Sequence, residues 1–258
     1  MYVITGHKGF IGSALQDSVP SPCYGIGSNI FQGNWKSNVI KSLEEQEPEA
    51  IFHVGGVANT STKDINYVME RNYEFTKVIS EWAFYNNVKF VFSSTASCYG
   101  NLGYPVNLYG WSKSAAEFFV QSFGGISLRY FNVYGPGEER KKYNHSFIHN
   151  VINQKNDIKI FPGSPKRDFI YIDDIVSANI YALQNYDKFS GNCYDVGFGQ
   201  AITYEKILNL VGKPFSYLSK NSIPENYQYY TCADQSKFMI GWEPKVKIEE
   251  GLKKLTLG

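Results

Sequence analysis

The sequence lacks the features that mark binding to nucleic acid, a membrane or a metal. Its formal net charge is +1 and 19% of its residues are charged, so no basic field favours a nucleic acid or an acidic bilayer surface. No apolar run approaches the roughly 20 residues needed to span a bilayer. The first strand begins directly after Met1 and leaves no room for a secretory signal. The only cysteines are Cys23, Cys98, Cys193 and Cys232, with no C-x-x-C spacing, which argues against a zinc motif or redox pair and fits reduced thiols. The expectation is a cytoplasmic protein with no metal, no nucleic-acid partner and no membrane partner. Repeats, low-complexity tracts and flexible linkers are also missing. A chain of 258 residues is long enough for one α/β domain with a small appendage. Aromatic residues are plentiful at 16%, with 20 tyrosines, which suits either a sugar-binding surface or bulky core packing.

The informative stretch is Thr5-Gly6-His7-Lys8-Gly9-Phe10-Ile11-Gly12, which follows the apolar Tyr2-Val3-Ile4 and opens a helix. Gly6 suits a tight turn, Gly9 lets a pyrophosphate approach the backbone, and Gly12 allows close packing of helix on strand. The helix N-terminus at Phe10 and Ile11 then faces the phosphates. A second absence bears on the cofactor. No carboxylate occurs between Asp17 and Glu44, the region in which a dinucleotide fold places an acid against the ribose 2′-hydroxyl. Ser28 and Asn29 lie near the end of a strand predicted over 22–27, and Lys8 lies inside the glycine loop. Hydroxyl and amide donors with a cation favour a 2′-phosphate, so NADP is expected over NAD, with a simply solvated Lys8 as the alternative. Asn34 is placed either beside the adenine or in a plain turn.

The segment 49–56 reads as a buried parallel strand whose small end, Gly55-Gly56, lets a cofactor lie against the backbone, with His53 a satisfied core histidine. In the following helix, Ile65, Val68, Met69, Thr76, Ile79 and Ala83 recur at helical spacing, and Asn72 shares their inward face. A buried amide there either braces the active-site strand or satisfies a loop. A strand over 88–94 runs into Thr95-Ala96-Ser97-Cys98, so hydroxyls collect at the carboxyl end of a central strand, where ligands of open α/β sheets bind. Tyr109 and Lys113 then stand four residues apart, on one face of a helix. An ordinary phenol is a poor base at neutral pH, but a neighbouring ammonium and a cationic nicotinamide both favour the phenolate. Strands over 22–27, 50–55, 89–94 and 127–131, alternating with helices, predict an α/β protein of Rossmann type, with a doubly wound parallel sheet.

The glycine loop, Thr95, Tyr109 and Lys113 together resemble the extended short-chain dehydrogenase/reductase family of nucleotide-sugar epimerases and dehydratases. The likeness also takes in FVFSSTASCYG (90–100), YGWSK (109–113), LRYFNVYGP (128–136) and RDFIYIDDI (167–175). It implies Tyr109 as acid/base, Thr95 bonded to the reacting hydroxyl, and Lys113 on the nicotinamide ribose. Asn132 and Arg167 would contact the substrate diphosphate, although Arg167 also reads as an ion-pair partner of Asp173 or Asp174. The family pattern further implies a small discontinuous C-terminal substrate lobe, about 136–167 and 198–258. Residues 1–135 would form the dinucleotide-binding domain, with about 168–197 returning to it. Nucleotide-sugar would be the substrate, and the helices around 67–83 and 109–123 would pair in a homo-oligomer.

Members that dehydrate the sugar carry Asp-Glu after the active-site threonine, whereas this chain has Ala96-Ser97. Elimination of water needs that extra acid and base, so the resemblance points to epimerisation by transient oxidation. Similarity over 52–77, with Asn72-Tyr73, and over 130–146 adds a second catalytic lysine, which by spacing from Gly135-Pro136 is Lys141. The run Glu139-Arg140-Lys141-Lys142 also reads as an exposed loop or a clamp on nucleotide phosphates. The segment 224–234 resembles a substrate motif and adds Tyr227, with Ser97, to the expected substrate side. The chain departs from its relatives in having only eight residues between Gly100 and Tyr109, which implies a more open sugar pocket.

Overall fold

The strands are short and strictly alternating, and that alternation sorts the core into two layers. Val3, Ile51, Phe90 and Phe92 face one side, and Ile4, Phe52 and Val91 face the other, as the period of two along a pleated strand requires. The computed structural model describes residues 1–100, 103–154, 157–224 and 227–257. The chain begins with β1 (Tyr2–Thr5), α1 (Phe10–Ser18), β2 (Cys23–Ile26), α2 (Trp35–Gln46) and β3 (Ala50–His53). Next, α3 (Ile65–Met69) continues through a π-helical turn (Glu70–Glu74) into α4 (Phe75–Tyr85). β4 (Lys89–Thr95), α5 (Leu108–Ser122), β5 (Ile126–Tyr130) and β6 (Asn132–Tyr134) follow. The remainder is α6 (Phe147–Asn153), β7 (Ile158–Ile160), β8 (Lys166–Tyr171), α7 (Ile172–Gln184), α8 (Tyr186–Phe189), β9 (Cys193–Val196), β10 (Ala201–Thr203), α9 (Tyr204–Leu210), β11 (Phe215–Tyr217) and α10 (Ile248–Leu257).

The main sheet has six parallel strands in the order β2-β1-β3-β4-β5-β9. The chain moves from β1 to β2 on one side and then crosses to β3 on the other, so strand order reverses between β1 and β3. A doubly wound sheet opens a crevice at that point, outside the carboxyl ends of the strands. Helices α2, α4 and α5 cover one face through Val39, Leu43, Ile79, Ala83, Ala116 and Val120. Helices α1 and α7 cover the other. Two small sheets, β10-β8-β6 and β11-β7, stand apart from it in the later part of the chain. Among the described residues no helix is long and apolar enough to cross a membrane.

The π turn is the main departure from the expected secondary structure. The Phe75 N–H reaches back to the Glu70 carbonyl, five residues earlier, so a surplus residue is accommodated inside a continuous helix. Inward positions then recur every four residues, at Val68, Asn72 and Thr76. Ile65, expected on the inward face, is exposed instead.

Candidate active site

The site begins at the β1–α1 turn. Gly6 has φ +68°, and its N–H binds the Ile26 carbonyl on β2 at 2.8 Å while its carbonyl accepts from Gly9 at 2.9 Å. A Cβ on Gly12 would lie 2.2 Å from the Gly6 oxygen, and one on Gly6 would lie 2.7 Å from Gly55 Cα. The backbones of β1, α1 and β3 therefore converge where only glycine fits. Helix α1 starts at Phe10 behind a glycine cap that offers no side-chain acceptor, so the first-turn N–H groups at Phe10, Ile11 and Gly12 are free for an anion. This backbone cradle, with no acid at the end of β2, fits a dinucleotide. The loop's Lys8 and the β2-end residues Ser28 and Asn29 are exposed. Asn34 caps α2, its Oδ1 accepting the Ser37 N–H at 3.3 Å.

Behind the turn, a chain of hydrogen bonds runs from β1 to the helix that follows β3. The Thr76 hydroxyl donates to the Asn72 carbonyl at 2.7 Å, so His53 Nε2 carries the proton it shares with Thr76 Oγ1 at 2.8 Å. His53 Nδ1 then accepts from Thr5 Oγ1, and the Thr5 oxygen takes the Gly55 N–H at 3.0 Å. Burial, with the nearby Lys113 charge second, holds the His53 pKa well below its ordinary value. The imidazole is neutral and satisfied. Asn72 is completely buried. Its Oδ1 accepts from Val57 N at 2.7 Å, and its Nδ2 donates to Val57 O and to Ser112 Oγ, both at 3.0 Å. The amide satisfies the loop after β3 and ties it to helix α5, and it makes no hydrogen bond to the strand that ends at Thr95.

Helix α5 starts at Leu108, capped by Asn107 Oδ1 on Gly110 N at 2.8 Å. That cap sets Tyr109 in the first turn and Lys113 one turn further on. Lys113 is buried, donates to the Ser93 carbonyl at 2.8 Å, lies 4.6 Å from the Phe92 ring centre, and borders Gly56. Burial lowers its pKa to about 8, against the opposing influence of Cys98 and Glu117. Burial pushes the Tyr109 pKa up to about 12, with the neighbouring Thr95 hydroxyl opposing and Cys98 adding to the rise. Thr95 Oγ1 already accepts Ser97 N at 3.2 Å, which leaves its proton for the phenol oxygen. The sequence reading had not singled out Glu117. It lies four residues after Lys113 and is almost fully buried. Its carboxylate accepts from Ser94 Oγ and from Arg129, whose Nε and Nη2 lie at 2.8 and 2.7 Å.

On the substrate side, Arg167 makes no ion pair with Asp173 or Asp174. Asp174 instead accepts the N–H groups of Lys245 and Val246, and Asp173 faces Lys254. The Arg167 guanidinium donates to the carbonyls of Lys166 and Gln228 and lies 5.8 Å from the Tyr204 ring and 5.5 Å from the Tyr227 ring. Asn132 Nδ2 donates to the Asp168 carbonyl at 3.0 Å. Ser97 is half-buried beside Thr95. In the 224–234 segment, Glu225 and Asn226 lie outside the described residues. Lys141 is held at the glycine loop. Its Nζ lies 2.9 Å from Glu138 Oε1 and 4.9 Å from the Phe10 ring centre, while Glu139, Arg140 and Lys142 around it are exposed. Glu138, also missed in the sequence, is buried and accepts Ser146 N–H and Ser146 Oγ as well.

A model of the NAD dependent epimerase/dehydratase family matches residues 2–197, and the chain belongs to that family. It is 29% identical to an ADP-L-glycero-D-manno-heptose-6-epimerase from Brachyspira hyodysenteriae, over 98% of this chain and 96% of that protein. The crystal structure of the Helicobacter pylori enzyme of the same name is similar at 26% identity and TM-score 0.80, over 98% of this chain and 93% of that one. The UDP-glucose 4-epimerase of Thermotoga maritima, solved with UDP-glucose, shares the fold at TM-score 0.81 and 24% identity, over 98% and 96% of the two chains. The Brachyspira alignment extends over 309 positions, more than the 258 residues of this chain. That protein therefore carries insertions, in keeping with the short stretch before Tyr109.

Proposed function

We propose that the protein is an epimerase of a nucleotide-activated sugar, most like the ADP-heptose 6-epimerases, and that it works by transient oxidation with NADP preferred over NAD. The observation that carries this reading is the placement of Tyr109, beside Thr95, one helical turn before Lys113, which itself borders Gly56 beside the glycine cradle. In this reading Gly6, Gly9, Phe10, Ile11, Gly12, Gly55 and Gly56 seat the dinucleotide backbone. Asn72 fixes their loop, Lys8, Ser28, Asn29 and Asn34 line the adenosine end, and Lys113 takes the nicotinamide ribose. The bound nicotinamide supplies reversible hydride transfer.

Tyr109 Oη takes the proton of the reacting sugar hydroxyl while the adjacent carbon loses hydride, which leaves a ketone on the substrate. Thr95 orients that hydroxyl. The Thr95 hydroxyl opposes, without cancelling, the burial that raises the Tyr109 pKa, and a positive charge such as the Lys113 ammonium favours the phenolate. Reduction from the other face returns the hydride, and Lys141, positioned by its contact with Glu138, supplies the proton there. Arg167, Asn132, Ser97 and Tyr227 hold the diphosphate and sugar, with the guanidinium suited to a diphosphate fork.

A homo-oligomer is supported by the exposed Tyr85, Trp111 and Phe118 along α4 and α5. A cytoplasmic setting is supported by four free cysteines. The deciding experiment incubates the purified protein with an ADP-activated heptose and follows side-chain configuration by NMR. Inversion without net consumption of NADPH is expected. Stoichiometric consumption of NADPH with a keto sugar nucleotide would identify a one-way reductase instead.

A further inference from the structure

We propose that Arg71 is the residue that reads the 2′-phosphate of NADP, an inference that rests on the cofactor preference above. Arg71 comes from the π turn, and its guanidinium carbon lies 4.1 Å from the Phe31 ring centre and 4.6 Å from that of Tyr67. Phe31 ends the single 3₁₀ turn, Ser28–Phe31, that follows β2. It is itself braced by Phe75 and Trp35 at 4.9 and 5.6 Å between ring centres. A planar cation packed against two aromatic rings can make polar contacts only through its N–H edge.

That edge lacks an acid. Arg71 Nε is buried without a hydrogen-bond partner, and no carboxylate lies within ion-pair distance of Arg71 among the described residues. The neighbouring acids are engaged elsewhere, Glu70 with Trp35 Nε1 at 3.0 Å and Glu74 with Lys36. A half-buried guanidinium with no internal counter-charge is matched by a dianionic phosphate monoester, whose oxygens accept the two-pronged fork. The end of β2 is where a dinucleotide fold carries the adenosine ribose, and Ser28 and Asn29 stand in the same turn as Phe31. Lys8, exposed on the glycine loop, offers only a point charge. Arg71 therefore carries the discrimination between NADP and NAD, and Tyr67 and Phe31 hold it in place.

The test uses two fragments that need no turnover, adenosine 2′,5′-bisphosphate and 5′-AMP, titrated by calorimetry into the full-length protein freed of cofactor. The wild type should prefer the bisphosphate. Arg71→Gln should weaken it by about tenfold to a hundredfold and leave 5′-AMP unchanged. Arg71→Lys should recover part of the loss, and Tyr67→Ala, at an exposed position, should weaken the bisphosphate selectively without disturbing the fold. Equal loss for both ligands, or no loss, would overturn the assignment of Arg71 while a wild-type preference kept the NADP reading intact. A wild type that binds both fragments equally would overturn the NADP reading and this inference with it, leaving the epimerase reaction to its own assay.

Discussion

Thr5 Oγ1 and His53 Nδ1 stand 2.6 Å apart, and this contact fixes a neutral imidazole in the centre of the sheet. With its folded pKa held well below the ordinary value, His53 takes up a proton mainly on unfolding. Its contribution to stability is complete above about pH 6.5 and is lost as pH falls below that, by up to about 1.4 kcal/mol per pH unit. His53→Leu should destabilise the protein by about 1–3 kcal/mol at pH 7.5, because Thr5 loses its acceptor. The gap to wild type should narrow on acidification to pH 5. Urea midpoints at the two pH values check this, and an unchanged gap would show that His53 titrates normally.

Gly12→Ala should strike the cradle directly, since the added methyl meets the Gly6 oxygen at 2.2 Å. The forced backbone shift should cost about 1–3 kcal/mol and weaken NADPH binding in a fluorescence titration. Gly9→Ala, whose methyl would lie 3.2 Å from the same oxygen, should be clearly milder in both measurements. Equal effects would argue that the turn is free to relax.

Tyr109→Phe should lower turnover by about 10²–10⁴ while NADPH still binds, because the role proposed for the hydroxyl is proton transfer and the cradle is built from backbone. Steady-state rates beside a binding titration separate the two. Retained turnover would remove Tyr109 from the reaction.

Lys113→Met tests the burial of the ammonium. A lysine whose folded pKa is lowered to about 8 opposes folding most strongly below that pH. The penalty is relieved as pH rises toward the unfolded value near 10.4. Relative to Lys113→Met, the wild type should therefore gain stability between pH 8 and pH 10, as measured by denaturant midpoints. A constant difference across that range would refute the lowered pKa.

Glu117→Gln should be among the most destabilising changes outside the cradle, because it leaves the Arg129 guanidinium partly buried without its carboxylate. A loss of about 3–5 kcal/mol is expected, read as a shift in the guanidinium chloride midpoint. Removing the same carboxylate should also lower the Lys113 pKa further, since Glu117 is one of the two groups that raise it.

The parts of the site visible in the sequence are those whose chemistry is local. Gly6, Gly9 and Gly12 announce a turn that joins one strand to one helix, and Tyr109 with Lys113 needs only the helical repeat to share a face. Parallel pairing of β1 with β3 follows from alternating strands and helices. The pairings that hold the site together span longer distances in sequence. Glu117 meets Arg129 across the α5–β5 connection, and Arg71 reaches Phe31 across α2 and β3. Glu138 is only three residues from Lys141, yet it reads as one more charge in a basic loop until Ser146 is seen folding over it. Asn34 has a local role that its turn position also announces, as the cap of α2 whose Oδ1 accepts the Ser37 N–H.

The π turn over Glu70–Glu74 makes this helix one residue longer than the span it bridges. Excising a residue there would restore an ordinary α-helical ladder and leave the flanking turns in register, because the bulge absorbs the surplus residue instead of passing it on as a rotation of about 100°. Val68 and Thr76 would keep their inward positions, and the change would fall on the turn between them, where Arg71 and Asn72 stand. The bulge thus acts as an angular coupling: it lets a single helix present Asn72 to the loop after β3 and to α5, and its neighbour Arg71 to Phe31 in the turn after β2.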